Sequence, residues 1–184
     1  MEMAKRLLER HGVIRSQPPS DWCGSFDLPP AVALFYWDVG PANIAIEGYG
    51  NQYFLPSLTD LWQFQAGYRW NGIDGTRIEG WKDEWLVVAD EGGDPFIFDM
   101  TSGVVLHAFH GEGVWDAIEL FPDLNAMGAC LAQLGAIVNE FRNSYLDADH
   151  FIRREFRELA STRVHDILGS LSAATLVLAR LGWN

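Results

Sequence analysis

The chain has 184 residues, a formal charge of −12, and 48% hydrophobic residues. That length fits one domain with its own core, the apolar fraction excludes intrinsic disorder, and the acidic balance argues against binding a phosphate backbone. No apolar run approaches the ~20 residues that span a bilayer, and residues 1–12 lack the apolar centre of a signal peptide, so the reading is a soluble, cytoplasmic protein without membrane contact.

Residues 3–11 read as a short helix closed by Gly12, followed by a proline-rich connector over 16–30. Asp27-Leu28-Pro29-Pro30 opens a second helix, because proline is tolerated where the first-turn N–H has no partner. Val32, Phe35 and Val39 carry its apolar spacing, and Gly40-Pro41 ends it. Ile44 and Ile46 alternate as in a short strand, and Ser57-x-x-Asp60 is a capping pair for a third helix, with Leu58, Leu61, Trp62 and Tyr68 on one face.

The middle is β-rich. Asn71-Gly72 and Asp74-Gly75 are turn signals. Strands are expected over 85–89, 95–99, 104–110 and 114–119, separated by the turns Asp90-Glu91-Gly92-Gly93, Thr101-Ser102-Gly103 and Gly111-Glu112-Gly113. Loops this short join antiparallel neighbours. Leu124, Met127, Leu131, Leu134, Val138 and Phe141 then recur at intervals of three and four, the stripe of an amphipathic helix. Residues 147–183 continue as helix, with one apolar face at Phe151, Ile152, Phe156 and Leu159 and another at Val164, Ile167, Leu168, Leu171, Thr175 and Leu178. The pattern predicts an α+β domain, a mainly antiparallel central sheet packed by helices from both chain ends, with a C-terminal helical extension. Two apolar faces exceed what one short seam needs, so a homodimer through the C-terminal helices is an expectation.

Eight tryptophans stand at 22, 37, 62, 70, 81, 85, 115 and 183. An aromatic-rich core is favoured over a stacking platform for sugars or bases. Cys23 and Cys130 form no CxxC pair and are expected to be reduced, buried thiols.

The segment Trp81-Lys82-Asp83-Glu84-Trp85-Leu86-Val87-Val88-Ala89, followed by Gly92-Gly93-Asp94-Pro95-Phe96-Ile97-Phe98-Asp99, resembles the central signature of the SUKH superfamily, which includes the yeast cell-wall assembly regulator domain and many bacterial immunity proteins. Leu28-Pro29-Pro30, Leu55-Pro56-Ser57-Leu58, the Gly103 turn and Trp115 before the helix at Leu124 are similar to its other segments, and the order of the motifs carries the resemblance over about residues 20–140. Two departures stand out. Asp38-Val39-Gly40-Pro41 replaces the usual Asn-Gly-Gly, and residues 145–184 match nothing in the pattern. The resemblance implies a structural role for Trp81, Trp85, Gly92, Gly93, Asp94, Pro95, Asp99, Gly103 and Trp115, and no shared catalytic residue. It implies a binding domain, foremost an immunity protein that neutralises a cognate toxin, or else a regulatory or scaffold module.

Asp83, Glu84, Asp90, Glu91 and Asp94 cluster in sequence around one turn. They read either as a solvated hairpin tip or as an acidic patch that meets a basic toxin, with Trp81 and Trp85, four apart and so on one strand face, as flanking core or anchors. A small-ligand or enzymatic use of the Asp90–Asp99 turn is a further alternative. Its spacing fits neither an EF-hand nor a phosphate-binding glycine loop. His107 and His110 are expected on opposite strand faces, a poor metal pair, and His150 and His165 on the helical surface. No cofactor, metal or nucleic-acid partner is expected.

Overall fold

The computed structural model describes residues 1–111 and 113–184, so Glu112 of the predicted 111–113 turn lies outside the described residues. Six strands, β1 (Ile44–Ile46), β2 (Tyr53–Leu55), β3 (Trp85–Glu91), β4 (Asp94–Asp99), β5 (Val105–His107) and β6 (Ile118–Phe121), pair antiparallel in the order β1-β2-β3-β4-β5-β6. The central pair is the longest, running in register from Trp85↔Asp99 to Glu91↔Asp94 with an irregularity between Val87 and Ala89. Both faces of this pair are covered, so β3 is an almost continuous apolar run instead of an alternating one.

One face packs against helices. The helix α4 (Leu124–Phe141) is capped by Asp123, whose carboxylate accepts the Ala126 N–H. It buries Leu124, Met127, Leu131 and Leu134 of the predicted stripe and also Ala129, Cys130, Ala132 and Ile137, because α1 (Glu2–Leu8), α2 (Pro30–Asp38), α5 (Arg154–Leu168) and the sheet enclose it, whereas Val138 is half-buried and Phe141 is exposed. At Gly135 α4 packs closely against β1. A Cβ there would overlap the Ile46 side chain and lie 2.9 Å from the Glu47 carbonyl oxygen. The last helix, α6 (Leu171–Arg180), is capped by the Ser170 hydroxyl and packs on α5 and β6. Ile152, Ala160, Val164, Ala174, Val177, Leu178, Leu181 and Trp183 belong to the same core as the sheet and α4. The segment that departs from the sequence resemblance is therefore part of the core. Of the apolar residues behind the homodimer expectation most are buried or half-buried within the chain and Phe151 and Leu171 are exposed, as is Leu176 of α6.

The opposite face is covered by the long β2–β3 connection. Tyr68 and Trp81 from that connection pack on Trp85, Val87, Ile97, Leu106 and Ala108, with Phe64 and Trp115 at the margin. The α+β architecture is thus an antiparallel meander between a helical layer and an aromatic layer. Among the described residues no helix is long and apolar enough to cross a membrane.

Several expectations are corrected. β2 was not foreseen: three residues before Pro56 are too few for periodicity. The last strand lies at Ile118–Phe121, not 114–119, because Trp115 leaves the sheet to pack on Tyr68 and Trp81. The third helix, α3 (Leu58–Leu61), gives way to a 3-10 turn at Gln63–Gln65, so Trp62 and Tyr68 share no helical face with Leu58. Ser57 and Asp60 bond to each other, at 2.7 Å, without capping the helix N–H groups. Trp81 precedes β3, between two turns at 79–80 and 83–84. It still buries its ring against Trp85, at 5.4 Å and 82°. Trp37 is 52% exposed, and Cys23, unlike Cys130, is exposed.

Candidate partner-binding site

The β3–β4 hairpin carries most of the sequence signature. Gly92 and Gly93 both adopt positive φ, 62° and 104°, between the paired Glu91 and Asp94. This is a two-residue turn whose backbone a side chain at either position would strain. Asp99 closes the other end, accepting the Thr101 and Ser102 N–H groups, and Gly103 follows at φ 79°.

The five acids do not form one patch. Seven strand residues at about 3.3 Å each put Asp83 and Glu84 about 20 Å from the Gly92-Gly93 turn. Asp83 is instead paired with Arg77 at 2.9 Å and Arg69 at 3.6 Å. At the turn end, Asp90 faces the aromatic layer and accepts the Tyr68 hydroxyl at 3.0 Å. Glu91 lies opposite both Tyr53 and Asp94. Asp94 holds His110, accepting its N–H at 2.7 Å and meeting its Nδ1 at 2.6 Å. Asp90 and Asp99 sit at opposite ends of the hairpin, so these carboxylates do not converge as a ligand-binding or catalytic set would require. Among the described residues no group of histidine, cysteine and acidic side chains could hold a metal ion.

His107 and His110 take different partners. His110 is exposed on Asp94, whereas His107 is buried against Phe96 and its Nδ1 accepts from Arg180 Nε at 3.0 Å. That bond leaves the proton on Nε2, which has no partner among the described residues. Nothing local in the sequence links His107 to Arg180, 73 residues on.

What the meander assembles is a groove of about 430 Å³ between the 63–68 segment and Asp90, Gly93, His110 and Trp115. Phe64, Tyr68 and Trp115 supply its aromatic wall; the Tyr68 ring lies 6.3 Å from Phe64 and 5.8 Å from Trp115. Gln63 and Phe64 also border a hollow of about 400 Å³ beside Asp60, and Trp115 borders one of about 350 Å³ beside Glu79. Among the described residues, each of the three contiguous depressions is lined by one carboxylate, and the only basic side chain lining any of them is His110.

No family model, curated protein or solved structure matches this chain.

The half-buried Glu91 and the buried His107 set opposing pH dependences. Burial, reinforced by Asp94, pushes the Glu91 carboxyl up to about 7. Burial and the Arg180 charge push His107 down to about 4. Folded Glu91 keeps its proton where the unfolded chain releases it, so its contribution falls as pH rises from about 4.5 to 7. Folded His107 binds fewer protons than the unfolded chain, so its contribution is lost as pH falls from about 6.5 to 4. Glu91→Gln isolates the first term. We expect the variant to match the native chain at pH 4 and to exceed it at pH 8 by about 1–2 kcal/mol, discounted for partial exposure. Urea melts at the two pH values measure this; an equal gain at both would refute the assignment.

Proposed function

We propose that this chain is a non-catalytic protein-binding domain, an immunity protein that acts in the cytoplasm by binding a cognate basic toxin and occluding its active site. The observation that carries the reading is the row of three aromatic-edged depressions, each lined by a carboxylate (Asp60, Asp90 and Glu79), on a chain of net charge −12. The ordered SUKH-like motifs support it from the sequence side. Acidic charge accelerates encounter with a basic surface and disfavours wrong partners, while buried aromatic contacts hold the complex. No bond is made or broken in this mechanism.

Co-expression with each toxin encoded beside its gene tests the proposal. Growth should be rescued in one pairing, and the two chains should co-purify. Asp60→Asn, Glu79→Gln and Asp90→Asn combined should slow association and flatten its salt dependence, since lost charges act mainly on the on-rate. If no neighbouring toxin is bound, and pull-downs return cellular signalling proteins instead, the domain is a regulatory module.

A further inference from the structure

The central groove sets a carboxylate beside an aromatic wall. Its wall is formed by the Tyr68 and Trp115 rings, inclined at 55°, with Phe64 beyond Tyr68 at 56°. Aromatic faces attract cations, most strongly when water is excluded. Asp90, half-buried in the lining, presents a carboxylate whose described side-chain partner is neutral, the Tyr68 hydroxyl. No lysine or arginine pairs with Asp90 among the described residues, and His110 is engaged by Asp94. Desolvation already raises the Asp90 carboxyl above the usual carboxylate range, so its ionised form is short of compensating charge.

We propose that the groove between Tyr68, Trp115 and Asp90 receives an arginine side chain of the partner protein, the guanidinium stacked on the aromatic wall and hydrogen-bonded to the Asp90 carboxylate. Arginine fits better than lysine because its flat, weakly hydrated guanidinium combines stacking with paired hydrogen bonds to a carboxylate. The chain already stacks arginine on aromatic rings: the Arg180 guanidinium carbon lies 3.7 Å from the centroid of the Phe109 ring, and that of Arg69, which also approaches the Asp83 carboxylate at 3.6 Å, lies 5.1 Å from that of Phe26. The net charge of −12 and the carboxylates of Asp60 and Glu79 in the flanking depressions suit a segment with further basic residues on either side.

This inference rests on the reading of the chain as a binder of a basic partner, yet its test needs no toxin. The probe is an acetylated and amidated Gly-Arg-Gly peptide, with the citrulline peptide as its uncharged twin. Titration is followed at the Trp115 indole N–H by NMR, the signal being assigned through Trp115→Phe. The arginine peptide should bind with a Kd of about 1 mM and shift that signal selectively. Asp90→Asn, whose amide oxygen can still accept from Tyr68, should weaken binding by about tenfold or more. Asp83→Asn, at the far end of β3, should not. Trp115→Leu gives a second weakening variant that leaves the carboxylate in place, read at the Tyr68 ring signals. Equal binding of the citrulline peptide, no effect of Asp90→Asn, or uniform small shifts across the protein would overturn the assignment. If the arginine peptide binds but no neighbouring toxin is neutralised, the groove stands and the immunity reading falls. If a toxin is neutralised and Asp90→Asn holds it with unchanged affinity, the immunity reading stands and the groove assignment falls.

Discussion

Trp183→Ala is expected to destabilise the protein by about 3–5 kcal/mol, a large part of the 5–15 kcal/mol that holds a typical domain together. Trp183 stands next to last in the chain, yet its side chain is fully buried. Its ring is stacked with Tyr145, at 6.2 Å and 17°, and meets Tyr49 edgewise. Its indole N–H donates to the Tyr53 hydroxyl at 3.3 Å, and its backbone N–H to the Leu178 carbonyl at 2.7 Å. Gly182, at φ 71°, lets the chain turn back after α6 to insert it. Removing the ring therefore opens a cavity that joins the tail to β2, and it strips a partner from a buried tyrosine hydroxyl. Thermal melts should show a midpoint lower by roughly 10 °C for a chain of this size. A variant as stable as the native protein would mean that the tail does not dock on the sheet. The same packing rules out deletion of residues 145–184 as a test of dimerisation, because the truncated chain would lose part of its own core. Dimerisation is better probed at the exposed Phe151, Leu171 and Leu176.

The elements that the sequence announces are those whose signals are local. Gly92-Gly93 and Thr101-Ser102-Gly103 mark turns because their backbones need positive φ or side-chain bonds within two or three residues, as Asp99 provides. The spacing from Leu124 to Phe141 marks α4 because one helix face repeats every three or four residues. Where local pattern and tertiary role part, the reading fails. Asp83 and Asp90 are close in sequence, but an extended strand carries them apart, so a cluster on the page becomes two ends of a hairpin. Trp115 has the composition of a strand residue, yet it is drawn off the sheet by Tyr68 and Trp81. The groove could not be read from the sequence because its walls come from residues 63–68, 90, 110 and 115, which only the meander brings together. The sequence resemblance stops near residue 140 and gave no sign that α5 and α6 complete the core; their apolar faces were legible, but not what those faces would cover.

Gln65→Leu is expected to cost about 2–5 kcal/mol although it replaces a polar residue in the core with an apolar one of similar size. Gln65 is completely buried in the layer that carries Phe64 and Tyr68. Its amide oxygen accepts the Val87 N–H at 2.9 Å, and its amide nitrogen donates to the Val87 carbonyl at 2.8 Å and the Leu61 carbonyl at 2.9 Å. β2 pairs with β3 only at Tyr53↔Glu91 and Phe54↔Asp90, and it ends before reaching Val87. One glutamine side chain therefore does what a longer β2 would have done, offering a donor and an acceptor to the same strand residue. Leucine would fill the space and leave a buried N–H and two carbonyls without partners. Urea melts measure the loss, and hydrogen exchange locates it, since the Val87 amide should exchange much faster in the variant than in the native protein. Unchanged stability together with a protected Val87 amide would refute the role. The effect should also reach the groove: the bonds that pair Gln65 with Val87 hold residues 63–68 against β3, so loosening them frees Phe64 and Tyr68 from the positions in which they face Asp90 and Trp115. A weaker arginine-peptide affinity in Gln65→Leu, with Asp90 and Trp115 both intact, would show that the site depends on this one amide for its shape.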